Sequence, residues 1–313
     1  MRSRFVDALS AVAAVDSRPF LITGDLGYSV LERFRDKYPE RFLNAGVAEQ
    51  NMTGIAAGLA LAGYHPFTYS IANFPTLRCL EQIRNDICYH NLPVCIVAVG
   101  GGVAYGAAGY SHHAVEDLAI MRALDGLTVL APADPIEAEC AVAAIMAAGR
   151  PTYLRLGKGG EPNLHHKMPD FVIGRPVTFR AGEVVCLAGS GPILGNILAA
   201  ATLLARQGVE ARVLGFHTIW PHDREALKTA FRDLRDIFFV EEHLGNPLFA
   251  SVAETLPELL QDARAHLLSL DRTLKHALGS RDYLLTLSGL HPEGIAGRVR
   301  DALAARRSSA DAR

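Results

Sequence analysis

One glutamate at the head of a run of small residues carries the most chemistry in this sequence. In Leu43-Asn44-Ala45-Gly46-Val47-Ala48-Glu49-Gln50-Asn51-Met52 a short extended stretch gives way at Gly46 to a predicted helix over 50–61. Its Gly54, Ala56, Ala57, Gly58 and Ala60 leave almost no side-chain bulk, so another backbone or a ligand can approach closely. Glu49 stands at the amino end, where unpaired N–H groups and the helix dipole favour a carboxylate. Complementing the dipole is the ordinary role of such a residue. A helix this small and apolar points instead to a carboxyl group buried at a close contact, with no partner cation at hand. Desolvation there favours the protonated form while the dipole opposes it. If desolvation wins, Glu49 is an acid able to donate a hydrogen bond near neutral pH.

The surrounding pattern supplies an edge on which such a group could work. Apolar strands are predicted at 20–23, 41–43, 66–70, 94–99, 127–130 and 152–155, separated by helices that include one from Pro75 to His90. Near-continuous apolar strands between helices predict a mostly parallel sheet covered on both faces. Ligands of such sheets gather outside the carboxyl ends of the strands. The loops carrying Asp25-Leu26-Gly27, Gly100 to His113 and Gly157-Lys158 all follow strands and fall on that edge. Residues 159–176 hold Gly159-Gly160, three prolines and His165-His166-Lys167, and read as a linker. The two histidines lack a ligand set at metal spacing and read as solvated. Strands at 184–188, 211–214, 237–240 and 266–269 then alternate with helices again, the last of them near 292–304. Gly189-Ser190-Gly191 does not match a dinucleotide loop. The fold class is therefore α/β, two doubly wound domains at 1–158 and 177–307, with residues 308–313 frayed.

Composition narrows the partners. A net charge of −2 gives no electrostatic case for nucleic acid. Five cysteines, an odd number with no CxxC pair, fit buried thiols in a reducing compartment. Met1 to Leu9 superficially resembles a targeting segment, but Asp7 interrupts it and the apolar spacing is helical. No run approaches the roughly 20 apolar residues of a membrane span, and a cytoplasmic location is expected.

Five separated motifs carry a family resemblance. The loop Asp25-Leu26-Gly27, Glu49-Gln50-Asn51-Met52, Gln82-Ile83-Arg84-Asn85, the segment Gly109 to Asp117 and Tyr153 to Lys158 follow the order and spacing of the carboxyl-terminal half of transketolase. The resemblance covers nearly the whole chain, through Glu241-Glu242-His243 to Gly289–Ile295. It extends to the beta chains of 2-oxo acid dehydrogenases, but Ala48 to Met52 and Glu116 to Ala119 are nearer to transketolase and deoxyxylulose-phosphate synthase. What the resemblance implies is a pyrimidine-binding domain, a carboxyl-terminal domain and thiamine diphosphate as cofactor. Members hold the diphosphate through Mg2+ on a separate domain bearing Gly-Asp-Gly followed by Asn, and no Gly-Asp-Gly occurs here. The resemblance thus implies a split enzyme, with cofactor and Mg2+ held against a partner subunit and an α2β2 assembly.

Residue roles carried over by the resemblance are these. Glu49 hydrogen-bonds the pyrimidine and sets the tautomer from which the reactive ylid forms. Asp25, Leu26, Ile71, Phe74 and Leu77 contact the cofactor, Ile71 standing where the family has an aromatic ring. His112 lies at the reacting centre, with His113 facing away. Arg2, Ser29 and Lys158 match substrate-phosphate positions, Lys158 replacing an Arg and so gripping as a point charge. Ordinary surface charge is the alternative reading of these three. Gly100 and Ala108 stand where the family reads sugar hydroxyls with acidic and histidine residues, which predicts a substrate smaller or less hydroxylated than xylulose 5-phosphate. The expected activity is transfer of a two-carbon ketol unit between sugar phosphates or related carbonyl compounds. The alternatives are a beta chain decarboxylating a 2-oxo acid, and a non-catalytic stabilising subunit.

Overall fold

A computed structural model describes residues 1–311 as two α/β layers stacked on helices. The first sheet contains β1 (Pro19–Thr23), β2 (Phe42–Asn44), β3 (His65–Ile71), β4 (Cys95–Val99), β5 (Thr128–Leu130) and β6 (Thr152–Leu156). The second contains β7 (Val177–Arg180), β8 (Val185–Gly189), β9 (Ala211–Gly215), β11 (Asp236–Glu241) and β12 (Arg264–Ser269), while β10 (Thr218–Trp220) leaves it. Spatial order is β10-β5-β6-β4-β3-β1-β2 in one and β12-β11-β8-β9-β7 in the other. All pairs are parallel except β10 with β5 and β7 with β9. The strands β4, β5, β6, β8 and β11 are buried along their whole length, as sheets covered on both faces require. The expected fold class is borne out.

Several details differ from the sequence reading, β7 at Val177–Arg180 being one strand that it lacks. β10 comes from the second half of the chain and closes the first sheet as an antiparallel edge, pairing Thr218 with Leu130. It follows β9 directly in sequence yet pairs across to the other sheet, a relation that no periodicity records. The helix expected from Pro75 to His90 is broken into Phe74–Leu77, Leu80–Gln82 and a wide-turned stretch Ile83–Cys88. His165 is not solvated: its Nε2 meets Glu137 Oε1 at 2.9 Å and its ring packs on Phe179. Asp134 accepts from the N–H groups of Leu164 and His165, so the linker is pinned to the first domain. The last helix runs over Pro292–Asp311, beyond the start of the expected fray at Ser308, and residues 312–313 of that expected tail lie outside the described residues.

The helix Glu49–Leu61 packs one side on the first sheet, burying Met52, Thr53, Ala56, Ala57 and Ala60. Gln50, Asn51, Gly54, Gly58 and Leu61 form the opposite, exposed side. Its small residues thus serve a close contact with its own sheet and leave a second smooth face open.

Candidate active site

The carboxyl ends of β1, β3, β4 and β6 lie side by side, and their loops build the site. Glu49 opens its helix directly beneath them and is 4% exposed. Gly24, just past β1, has no side chain to fill the space above it. A Cβ there would sit 3.6 Å from Glu49 Cγ and 3.7 Å from Ser70 Oγ. Ser70 Oγ is itself buried without a hydrogen-bond partner. The Gly24 gap is therefore a small cradle walled by the Glu49 Cγ methylene and an unsatisfied hydroxyl.

Phe74 forms the next wall. β3 stops at Ile71, and Pro75 opens the short helix Phe74–Leu77, its fixed φ suiting a first helical turn. His112 meets Phe74 edge-on, with ring centroids 5.4 Å apart at 65°. Asn73 Nδ2 donates to Ser111 O at 2.7 Å and so fastens the His112 loop to the end of β3. His112 Nδ1 lies 3.0 Å from Ser111 Oγ, which leaves Nε2 as the ring atom open to a ligand. His113 turns the other way, buried with Nε2 3.1 Å from Gly106 O.

Arg78 completes this group. Its Nη1 donates to Glu49 Oε2 at 3.0 Å, and its guanidinium carbon lies 4.3 Å from the Phe74 ring centroid. The sequence reading assumed that Glu49 would be buried with no partner cation, and the structure corrects this. A charged carboxylate buried alone would be costly, so a cation within reach is drawn to it.

A second group of cations surrounds Tyr105. Gly100 at φ +81° lets the loop fold back until a Cβ on it would be 2.1 Å from the Tyr105 ring, so only glycine fits. Lys158 Nζ lies 4.8 Å from that ring's centroid, and Tyr105 lies 6.1 Å from His112. Arg2 reaches the same place, its guanidinium 3.2 Å from where a Gly159 Cβ would be. Arg2 Nε and the Tyr69 hydroxyl are buried without hydrogen-bond partners. Burial pushes the Tyr69 phenol up to about 12 against the pull of the Arg2 charge. Among the described residues neither Arg2 nor Lys158 forms an ion pair with a carboxylate.

Beneath the His112 loop lies a buried network. Asp117 accepts from the Tyr153 hydroxyl at 2.7 Å and faces Arg155 Nε at 3.3 Å and His243 Nε2 at 3.4 Å. Burial pushes the Asp117 carboxyl up, but Arg155 and His243 outweigh it and hold it below the ordinary range. Arg155 also donates to Ala114 O and Glu242 O, and Arg281 pairs with Glu242. The site loop is thereby bolted to the second sheet.

Of the residues singled out in the sequence, Glu49, Phe74 and His112 come together, and Arg2 and Lys158 gather at Tyr105. Asp25 and Leu26 turn over the end of β1, where Asp25 accepts from Tyr28 and Asn44 and the Leu26 peptide bonds Thr23 Oγ1. Ile71 is half-buried at the end of β3. Leu77 is about half exposed, and Ser29 is exposed with its N–H taken up by Glu32. Among the described residues no hydrogen bond or ring contact joins either to the Glu49 group. Sequence reasoning missed Arg78, Asn73 and Tyr105. Arg78 is the sole charge in 66–80 and Tyr105 the one ring in 100–109, which were the available signals.

Comparison with known proteins places this geometry. The profile "Transketolase, pyrimidine binding domain" matches residues 1–161, and "Transketolase, C-terminal domain" matches residues 174–295. The chain belongs to the transketolase family. It is a transketolase-type, thiamine-diphosphate-dependent transferase subunit. It is 35% identical over 260 residues to a subunit of the apulose-4-phosphate transketolase of Phocaeicola vulgatus, covering 82% of this chain and 83% of that one. The 6-deoxy-6-sulfo-D-fructose transketolase subunit SqwH of a Clostridium species is 35% identical, over 72% and 71% of the two chains. A solved split-gene transketolase, described as an inactive beta4 tetramer, superposes at a TM-score of 0.86 with 32% identity over 97% of each chain.

The residues present fit the aminopyrimidine part of the cofactor: a buried carboxyl group and an aromatic face, both engaged by the Arg78 guanidinium, with the unsatisfied Ser70 hydroxyl near Glu49. The Arg78 guanidinium, itself flat and rich in N–H groups, shows that a planar group can occupy this seat. Among the described residues no three His, Cys, Asp or Glu lie together to hold a metal, and no helix is long and apolar enough to cross a membrane.

Proposed function

We propose that this chain is the beta-type subunit of a split transketolase moving a two-carbon ketol unit between anionic carbonyl substrates. In this reading Glu49 faces the cofactor pyrimidine, and a partner subunit with a Gly-Asp-Gly and Asn motif supplies the diphosphate and Mg2+ site in an α2β2 assembly. The observation that carries it is Glu49, buried at the carboxyl edge of the sheet and linked through Arg78 to Phe74, whose ring meets His112. Thiamine diphosphate, when bound, supplies the carbanion-stabilising chemistry that amino-acid side chains lack.

This chain's residues do the rest. Glu49, shielded from water, is the group that would face a ring nitrogen and donate to it once the cofactor is seated. Phe74 offers a flat face worth about 1 kcal/mol beyond its burial, while Ile71 keeps the apolar contact without stacking. Asp25, Leu26 and Leu77 border the seat. His112, held through Nδ1, presents Nε2 to substrate oxygen and can move a proton there. Arg2 and Lys158, with Ser29 on the neighbouring loop, take the substrate's anionic group. The names of the two relatives support this, since apulose 4-phosphate and a sulfo-sugar both carry one. The bare Gly100 and Ala108 positions favour a substrate with fewer hydroxyls to read. The open face of the Glu49–Leu61 helix, with Leu61 and the preceding loop residue Val47 about three-quarters exposed, suits a subunit seam that closes the site.

The test is Glu49→Ala in the enzyme reconstituted with its partner at saturating cofactor. Turnover is expected to fall by about 10²- to 10⁴-fold, the worth of a positioned acid. Unchanged turnover would make this a stabilising subunit. Release of carbon dioxide from a 2-oxo acid, with no aldehyde from a ketose phosphate, would make it a decarboxylase chain.

A further inference from the structure

We propose that Arg78 is a built-in occupant of the pyrimidine seat, so that a cofactor or any flat amidine-type base enters only by displacing it. The inference rests on the Glu49 and Phe74 reading of the seat given above.

A guanidinium and an aminopyrimidine share a flat N–C–N edge and a π face. Arg78 uses both at once, donating to Glu49 at 3.0 Å and lying over Phe74 at 4.3 Å. Phe74 and Arg78 are four residues apart around a helical turn, which brings the guanidinium back over the ring. The two occupants ask opposite things of Glu49. Arg78 needs a carboxylate that accepts, and a ring nitrogen needs a carboxyl group that donates. The seat therefore has two exclusive states. Departure is easy on the outer side, where half of the Arg78 side chain is exposed and its hydrogen bond among the described residues is the one to Glu49. Departure is opposed on the inner side, where it strips a 4% exposed carboxylate of its cation. Arg78 thus stabilises the chain before assembly and weakens cofactor entry by the fraction of time it spends in place.

The experiment titrates the 313-residue chain, without its partner, with 4-amino-2,5-dimethylpyrimidine. Wild type, Arg78→Met, Arg78→Lys and the double variant Glu49→Leu, Arg78→Met are compared by calorimetry, with circular dichroism as a check of folding. Arg78→Met is expected to bind about tenfold tighter than wild type or better, with Arg78→Lys between them. Methylguanidinium is expected to compete with the pyrimidine in Arg78→Met. Should Arg78→Met fail to fold, Arg78→Gln takes its place with the same ranking. Equal affinity for wild type and Arg78→Met, with Glu49 still required, overturns the occupant and leaves the seat standing. Binding to neither, or binding indifferent to Glu49→Leu, removes the seat and the occupant together.

Discussion

Arg2 and Lys158 are cations whose neighbours are phenol rings and glycines, and that setting decides what they can hold. Arg2 Nε is buried and unsatisfied, a state that an anionic ligand would relieve, whereas Lys158 is exposed over Tyr105 and well hydrated. Removing the buried contact should therefore cost more. Arg2→Met is expected to raise KM for a phosphorylated donor by about 10- to 100-fold with kcat nearly kept, and Lys158→Ala by only a few-fold. Lys158→Arg should lower KM by restoring a two-pronged grip. Steady-state kinetics on phosphorylated and dephosphorylated forms of one donor measures this, and an equal loss on both forms would show that these residues do not read the anion. Glu49, Phe74 and His112 were legible because each sits in a short motif of recognisable order. Arg78 was not, since its importance comes from an acid 29 residues away that only folding brings to it. Tyr105 is placed by the left-handed backbone of Gly100, a relation between loop residues that no periodicity records.

At the scale of elements the helix Glu49–Leu61 does two jobs with one composition. Its inner face lets the backbone settle on β3, and its outer face is left bare at Gly54 and Gly58, where an added Cβ would meet nothing within 4 Å in this chain. A glycine in a helix interior costs up to about 1 kcal/mol relative to alanine, so two exposed ones need a reason outside this chain. Gly58→Leu separates the two jobs. The isolated chain is expected to melt at the same or a higher temperature, while association with the partner subunit weakens at least tenfold. Differential scanning calorimetry and light scattering on the mixed subunits read the two effects. Undiminished assembly would remove this helix from the seam. Strands with four or more apolar residues were visible in the sequence because burial on both faces forces that composition. β10 escaped because it follows β9 directly in sequence but pairs with β5 in the other sheet, and the Pro75 to His90 helix was overread because a break into shorter turns keeps the same residue types.

Over the whole molecule the two sheets are joined by groups that sense pH in opposite directions. β10 crosses from the second half into the first sheet, with His217 before it and His222 after it. Phe171 of the linker stacks on His217 at 3.9 Å. Burial brings His217, His222 and, at the start of β3, His65 down to about 4 from an ordinary 6.5. Such histidines bind more protons unfolded than folded. Their contribution is complete above about 6.5 and is lost as pH falls toward 4, on the order of 3 kcal/mol each. His165 runs the other way. Burial alone would lower its pKa, but the Glu137 carboxylate raises it above 6.5, so its tie is complete below that pH and fades as pH rises. Three groups against one make acid the weak side. Between pH 6.5 and 4 the melting temperature is expected to drop steeply, and the Ala131 N–H that donates to His217 O should lose hydrogen-exchange protection ahead of the β4 amides. Replacing His217 by glutamine should flatten that pH dependence, because glutamine has no proton to gain. A profile unchanged by that substitution, or β4 opening together with Ala131, would mean that the acid-sensitive step is not the crossing of β10.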